Sequence, residues 1–294
     1  MLTDSQTPVK ANMTQILTSG TLYLVGTPIG NLEDITLRAI RTLKEVDLIA
    51  AEDTRHTGKL LQRFQISTSQ TSYHEHNQER RTPELISQLQ QGQNIAVVSD
   101  AGMPSISDPG YLLVKEAIAN SINVVPIPGV SAGITALSVS GLTTDRFVFQ
   151  GFLPVKGRTR SDRLEEIATE TKTTILYEAP HRLLTTLQDL ADTLEPTRNI
   201  VIARELTKLH EEFWRGNSSE AIALYREKRQ PKGEYTLMVA GTNKNQNILL
   251  SESQLKEELQ QLLQQGLTRS QASRQLAKLS TLSRQEIYRL SIDS

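Results

Sequence analysis

No cysteine occurs anywhere in the 294-residue chain. This excludes disulfides, thiol nucleophiles and thiolate zinc sites, and it fits a reducing compartment. No run approaches the ~20 consecutive apolar residues that a membrane span needs. The opening segment MLTDSQTPVKANMTQ lacks a basic stretch followed by an apolar core, so residues 1–19 are expected to be a disordered lead and the protein cytoplasmic, with no membrane partner. An excess of one charge is missing too: 32 Lys and Arg stand against 33 Asp and Glu, for a net charge of −1. No global field draws nucleic acid to the protein, and local basic patches would have to do so. The dinucleotide fingerprint GxGxxG is absent after the first expected strand, as are the P-loop, HExxH, GxSxG and kinase signatures. Their absence argues against a Rossmann oxidoreductase and the common Rossmann-type methyltransferases.

What is present is a globular composition, 37% hydrophobic and 22% charged, in a chain too long for one domain of ~100–150 residues. The stretch IAVVSDAGMPSISDPG (95–110) organises the rest. Ile95 to Val98 is a continuous apolar run, as in a strand covered on both faces, and it ends in a loop of small residues. Gly102 there permits backbone angles closed to other residues. Asp108 and Pro109 read as the N-cap and first residue of a helix through about Ala119. Further strands are expected at 21–25, 47–51 and 123–127, alternating with helices. Four such strands imply a parallel, doubly wound sheet over residues 20–142.

Residues 143–242 read as a second α/β domain with a mixed sheet: strands at 147–152, 173–177, 200–203 and 234–240, a short one near 213–215, a basic loop at 154–163, and helices at 181–194 and 218–228. A linker follows, and residues 248–294 form a helical tail domain. From Gly266 to Ile292 the tail holds five Arg or Lys against Glu286 alone. It reads as two short helices joined near 280–283, with Ala272, Leu276, Leu279, Ile287 and Leu290 as apolar stripe and Ser270 or Ser283 as caps, resembling a helix-turn-helix.

Ligands of open α/β sheets bind beyond the carboxyl ends of the strands. The polar cluster Glu52 to His56 and the loops after Val25, Val98 and Ile127 all fall there. Plainer readings exist for each. Asp108 suits a cap, Glu52 to Arg55 suits a salt-bridged helix start, Arg158 and Arg160 suit a solvated loop, and Arg204 with Glu205 suits a structural ion pair. His56, His74 and His76 lack a metal-ligand spacing, and no metal is expected.

GTLYLVGTPIGNLEDIT, AEDTRHT, YHEHN, VVSDAGMPSISDPG, PGVSAGITAL, GFLP, YEAPHR, ARELTK and KGEYTLMVAG, in this order, resemble the tetrapyrrole-methylase superfamily. Within it they are similar to the branch that methylates the ribose 2′-hydroxyl of a cytidine in the decoding region of small-subunit (16S) ribosomal RNA. The resemblance spans about residues 20–242 and implies two α/β domains, S-adenosylmethionine in the cleft between them, and a homodimer. Where tetrapyrrole enzymes read Gly-Asp-Pro, this chain reads Gly102-Met103-Pro104, which favours the RNA branch. On the resemblance, Pro28, Asp100, Ala101, Gly102, Ile106, Ser131, Ala132, Tyr177, Ala203 and Ala240 would hold the cofactor. Arg55, His76, Asn77, Arg158 and Arg160 would meet the RNA. Asp53, Glu205, His56 and Lys208 are the candidates for removing the ribose proton, with the carboxylates ahead of Lys208 because an ordinary lysine is protonated at neutral pH. Two other classes stay open: a small-molecule tetrapyrrole (precorrin-type) methyltransferase, and a non-enzymatic RNA- or DNA-binding protein built around the tail.

Overall fold

A computed structural model of the chain describes residues 19–228, 231–242, 252–279, 287 and 289–290. The lead over residues 1–18, most of the linker and the expected cap Ser283 lie outside these residues. The first domain is a five-stranded, all-parallel sheet: β1 (Thr21–Val25), β2 (Leu48–Ala51), β3 (Gln70–Ser72), β4 (Ile95–Val98) and β5 (Asn123–Ile127), in the order β3-β2-β4-β1-β5. The central strands are buried on both sides by residue alternation. Leu22, Ile95 and Val97 face one core with α3 (Gln78–Gln90) and α4 (Tyr111–Ala119). Val25, Ala96 and Val98 face the other with α1 (Leu37–Glu45) and α2 (Thr54–Arg63).

The second sheet runs β6 (Phe147–Phe152), β7 (Thr173–Glu178), β10 (Tyr235–Val239), β8 (Asn199–Arg204), β9 (Glu212–Asn217) in spatial order. It is mixed: β6 and β7 are parallel, and β10 is antiparallel to both β7 and β8. On one face it packs α6 (Arg158–Thr169), α7 (Leu183–Thr193) and α8 (Ser218–Lys228). On the other lies α5 (Ala132–Ser138), which follows β5 in the chain yet buries Ala136 and Leu137 against Ile175, Val201 and Met238. Ile29 and Leu206 complete that shared core, which ties the two domains together along the edge where β1 ends. The tail helices α9 (Glu252–Gln264) and α10 (Arg269–Leu279) close on a core of their own, with Leu255, Leu259, Ala272, Leu276 and Ile287 buried. Among the described residues, no helix is long and apolar enough to cross a membrane.

Four local expectations need correction. Strand β3 is a fifth member of the first sheet; its three polar residues at the sheet's edge carry no apolar alternation to reveal it. The helix after β4 begins at Tyr111, not Pro109. Gly110 adopts φ 138°, a conformation for glycine alone, and the Pro109 carbonyl instead accepts from the Ser105 amide at 3.1 Å, closing a loop that leaves Asp108 outside the helix. The segment expected to be a basic loop at 154–163 is the start of α6, because Leu164 and Ile167 bury one of its faces. In the tail, Thr268 rather than Ser270 caps α10: its hydroxyl accepts from the Gln271 amide while the Gln271 side chain accepts back from the Thr268 amide at 2.9 Å, a reciprocal capping box.

Candidate active site

The loops after β1, β4 and β5 meet where the parallel strands end. Close approach between them depends on glycine: a Cβ on Gly129 would lie 2.7 Å from the Gly26 Cα. Thr27 and Gly102 exchange backbone hydrogen bonds at 2.9 and 3.0 Å, and the Thr27 hydroxyl donates to the Ser99 carbonyl at 3.1 Å. Gly102 holds φ +81°, as its place in the small-residue loop anticipates. The loop after β2 is clamped to that after β4: the Asp100 amide donates to Glu52 Oε2 at 3.1 Å and the Asp53 amide to Asp100 Oδ1 at 3.2 Å.

These loops wall a cavity of about 300 Å³ between the two sheets, within the range of small-molecule sites. Ile29, Ala101, Gly102, Met103, Ile106, Ser107, Asp108, Ser131 and Ala132 line it from the first domain. Phe152, Tyr177, Leu206 and the run Glu234 to Thr236 line it from the second. Tyr177 ties the halves together by accepting from the Gly133 amide at 3.2 Å, and burial raises its phenol pKa. Ser131 stands at the N-cap of α5 without bonding the helix through its side chain; its hydroxyl instead hydrogen-bonds the Tyr177 phenol across the cleft. Burial, then the neighbouring Glu52 carboxylate, push the Asp108 carboxyl up to about 6, against a hydrogen bond from Ser99. Glu52 is likewise raised, chiefly by burial.

A second, mostly apolar cavity of about 480 Å³ adjoins the first, sharing Ile29, Ala101 and Glu234 with it. Pro28, Leu32 and Leu60 form apolar walls, with His56, Lys59, Asp100 and Lys208 among them. Lys208 bridges Glu205 at 2.8 Å and Glu234 at 3.0 Å, and Glu205 also accepts from the Glu234 amide at 3.1 Å. Against the opposing pull of burial, Glu205 and Glu234 raise the Lys208 pKa, so Lys208 is a cation at neutral pH. Against burial again, Lys208 and the Glu234 amide in turn hold Glu205 below the usual carboxylate range.

Of the cofactor residues expected from sequence, Ala101, Gly102, Ile106, Ser131, Ala132 and Tyr177 line the first cavity, while Pro28 and Asp100 line the second. Ala203 is buried in the core beneath. Ala240 lies elsewhere, in a polar cavity of about 450 Å³ with Arg146, Lys172 and Arg198. The reason is strand direction. Because β10 is antiparallel to β7 and β8, Thr236 at its beginning pairs with Tyr177 and Ala203, and its end points away from the cleft.

The polar candidates separate in the same way. His56 and Lys208 line the second cavity. Asp53 caps α2, accepting from the Arg55 amide at 2.8 Å and pairing with the Arg55 guanidinium at 2.6 Å, and that guanidinium holds its carboxyl far below the ordinary aspartate value. Arg55 is otherwise solvated. Asn77 braces its own turn, accepting from the His74 amide at 2.9 Å and donating to Ser72. His76 is exposed and meets His74 edge-on at 6.0 Å. Among the described residues, no group of three or more His, Asp or Glu is placed to hold a metal ion. Arg158 opens α6 in solvent. Arg160 does not reach any RNA-accessible surface: it is buried, donating to Asp189 at 2.8 Å, the Pro154 carbonyl at 2.8 Å and the Thr186 hydroxyl at 2.9 Å. Asp108, Phe152, Leu206 and the beginning of β10 were not anticipated. The sequence signal for Asp108 was its setting in a loop of small residues, masked by its resemblance to a cap.

Residues 21–222 match the family model described as Tetrapyrrole (Corrin/Porphyrin) Methylases. The chain is 58% identical over 93% of its length to a protein of Synechocystis sp. named ribosomal RNA small subunit methyltransferase I, covering 98% of that protein. A Streptococcus pyogenes serotype M1 protein of the same name is 49% identical over 92% of this chain and 94% of its own length. Among solved structures, the methyltransferase CobJ superposes with a TM-score of 0.57 at 18% identity, over 76% of this chain and 95% of that one. A uroporphyrin-III C-methyltransferase from Thermus thermophilus complexed with S-adenyl homocysteine gives 0.54 at 18% identity, over 75% and 97%. At such identities these two likenesses speak to the fold alone.

Proposed function

The chain belongs to the tetrapyrrole methylase family, and from that premise we propose that it is an S-adenosylmethionine-dependent methyltransferase of small-subunit ribosomal RNA. We propose further that the acceptor is the ribose 2′-hydroxyl of a cytidine in the decoding region. The observation that carries the reading is the pair of adjoining cavities, one bounded by both domains and by close-approaching backbone, the other apolar with cations in its wall.

The first cavity suits the cofactor chemically. Ile29, Ile106, Phe152 and Leu206 offer apolar walls, Ser131 and Tyr177 offer hydroxyls hydrogen-bonded to each other in the wall, and the Asp108 carboxyl faces a site that must accept a cation. When bound, S-adenosylmethionine supplies an electrophilic methyl group on its sulfonium. The chain's own residues align and dry the site, which is the larger part of catalysis for an in-line displacement. The second cavity is the acceptor side. Of the four groups considered for the ribose proton, Asp53 and Glu205 are weakened as bases by their cationic partners, and Lys208 is held protonated. His56 lines the acceptor cavity without an ion pair among the described residues, and we assign it the proton. Lys208 then serves as a fixed positive charge at the junction of the two cavities.

The names of the relatives support the RNA substrate, and the lack of Asp at position 103 supports it over a tetrapyrrole. A homodimer in the cytoplasm completes the reading, with exposed Phe147 and Phe149 on the outer strand of the second sheet as an apolar face for a second copy. The test is transfer of labelled methyl from S-adenosylmethionine to small subunits, to their naked RNA and to a uroporphyrinoid, followed by mass mapping of the product nucleotide. A 2′-O-methylcytidine in the decoding region is the expected product. Label in the porphyrinoid and none in the RNA would overturn the assignment.

A further inference from the structure

Resting on the RNA reading above, we infer that the exposed faces of α1 and α2 form the track that holds the RNA backbone beside the acceptor cavity. The tail is then not the principal electrostatic anchor. Three observations converge on this surface. The helices lie on one face of the first sheet, sharing one core through Ala39, Leu43 and Leu61, and the Thr68 hydroxyl in the loop after α2 donates to the Leu43 carbonyl of α1 at 2.7 Å. Five of their outward positions are basic, Arg38, Arg41 and Lys44 on α1 and Lys59 and Arg63 on α2, all exposed, beside exposed Leu37, Gln62 and a single carboxylate, Glu45. Among the described residues none of these five pairs with a carboxylate, whereas Arg80, Arg81, Arg158 and Arg163 on helices α3 and α6 all do.

Unpaired cations in a row are costly neighbours for one another and stand ready for phosphates, whose condensed counterions they displace. Position ties the row to the chemistry. Lys59 is both a member of the row and part of the acceptor cavity's wall, and His56 one turn earlier lines the same cavity. The turn that leads into α1 contributes Leu32 to that wall. A strand crossing the row would therefore arrive with a nucleotide over an apolar chamber. Pro28, Leu32 and Leu60 suit the face of a base turned out of its stack. The partner that fits is single-stranded or loop RNA, since a chamber inset between a loop and a helix admits an unpaired nucleotide and not a duplex edge.

The experiment uses the full chain and compares RNA affinity against salt concentration for the wild type, for Arg41→Gln/Lys59→Gln/Arg63→Gln, and for the tail pair Arg269→Gln/Arg289→Gln. All five positions are exposed, so the fold should survive, and unchanged S-adenosylmethionine affinity checks that it does. The helix triple should flatten the slope of log affinity by ~0.7–0.9 for each phosphate no longer neutralised, about 2–3 in all, and weaken binding ~50–150-fold in ~0.15 M salt. The tail pair should leave the slope close to the wild-type value, a change well below ~0.7 per charge removed. A triple variant that keeps the wild-type slope while the tail pair flattens it overturns the inference and makes the tail the anchor. Retention of the wild-type slope by both variants overturns it as well. If wild-type protein shows no salt-dependent binding to small-subunit RNA and no methylation of it, the functional reading falls and this one falls with it.

Discussion

Replacing Asp108 by asparagine should stabilise the ligand-free protein at neutral and alkaline pH. The carboxyl lies in the cavity wall with its titration pushed up to about 6 by burial and by Glu52. Against an unfolded-state value of about 3.9, that corresponds to ~3 kcal/mol of penalty on the ionised form at pH 7. Asp108 is partly open to the cavity, and solvent screening reduces the expected effect to ~1–2 kcal/mol. The sign follows from proton linkage. Between about 4 and 6 the native state binds the proton that the unfolded chain has already released, so Asp108 makes the protein less stable as pH rises through that window. Below about pH 4 both states are protonated and the penalty vanishes. The asparagine side chain never ionises, so the Asp108→Asn variant should gain its ~1–2 kcal/mol at about pH 8 and nothing at about pH 4. Denaturant unfolding followed through Trp214, the only tryptophan in the chain, measures this. A gain that is independent of pH, or a loss under alkaline conditions, would refute the electrostatic account of the cavity.

Arg160→Ala should destabilise the protein by ~3–5 kcal/mol, because it strands Asp189 and the Thr186 hydroxyl around a buried vacancy. Thermal melting reads this, and a fully stable variant with a raised KM for RNA would instead restore a substrate role. Gly129→Ala should push the β5 loop from the β1 loop, since its Cβ would meet the Gly26 Cα at 2.7 Å. Calorimetry should show cofactor affinity falling by at least ~10-fold, the equivalent of ~1.4 kcal/mol, and unchanged affinity would deny that the close approach shapes the site. Lys208→Arg should keep most methyl transfer and Lys208→Ala should lose it, since the role assigned is a fixed charge held by Glu205 and Glu234. Turnover abolished by both substitutions alike would point to Lys208 as the proton acceptor.

Much of this molecule is written in local sequence. The run Ile95 to Val98, bounded by turn residues and rich in β-branched side chains, reads as a strand covered on both faces, and all four of its residues are buried. The glycine and small residues at 101–107 mark a loop shaped for close approach, and the loops after β1, β4 and β5 do converge. The ordered motifs were enough to name the family. What local sequence does not carry is direction and partnership. Ala240 and Thr236 are equally good strand-end residues on paper, and only the antiparallel placement of β10 decides that Thr236 meets the cleft. Arg158 and Arg160 are indistinguishable as a basic pair. One is solvated and the other buried, because α6 turns a single face to α7 and Asp189 waits there. Asp108 reads as a helix cap until Gly110 takes φ 138° and starts the helix later, which leaves the carboxyl in the cavity wall. Periodicity and composition act over a few residues and can be read from the chain, whereas the sense of a strand, the face of a helix and the field at a carboxylate are set by groups distant in sequence.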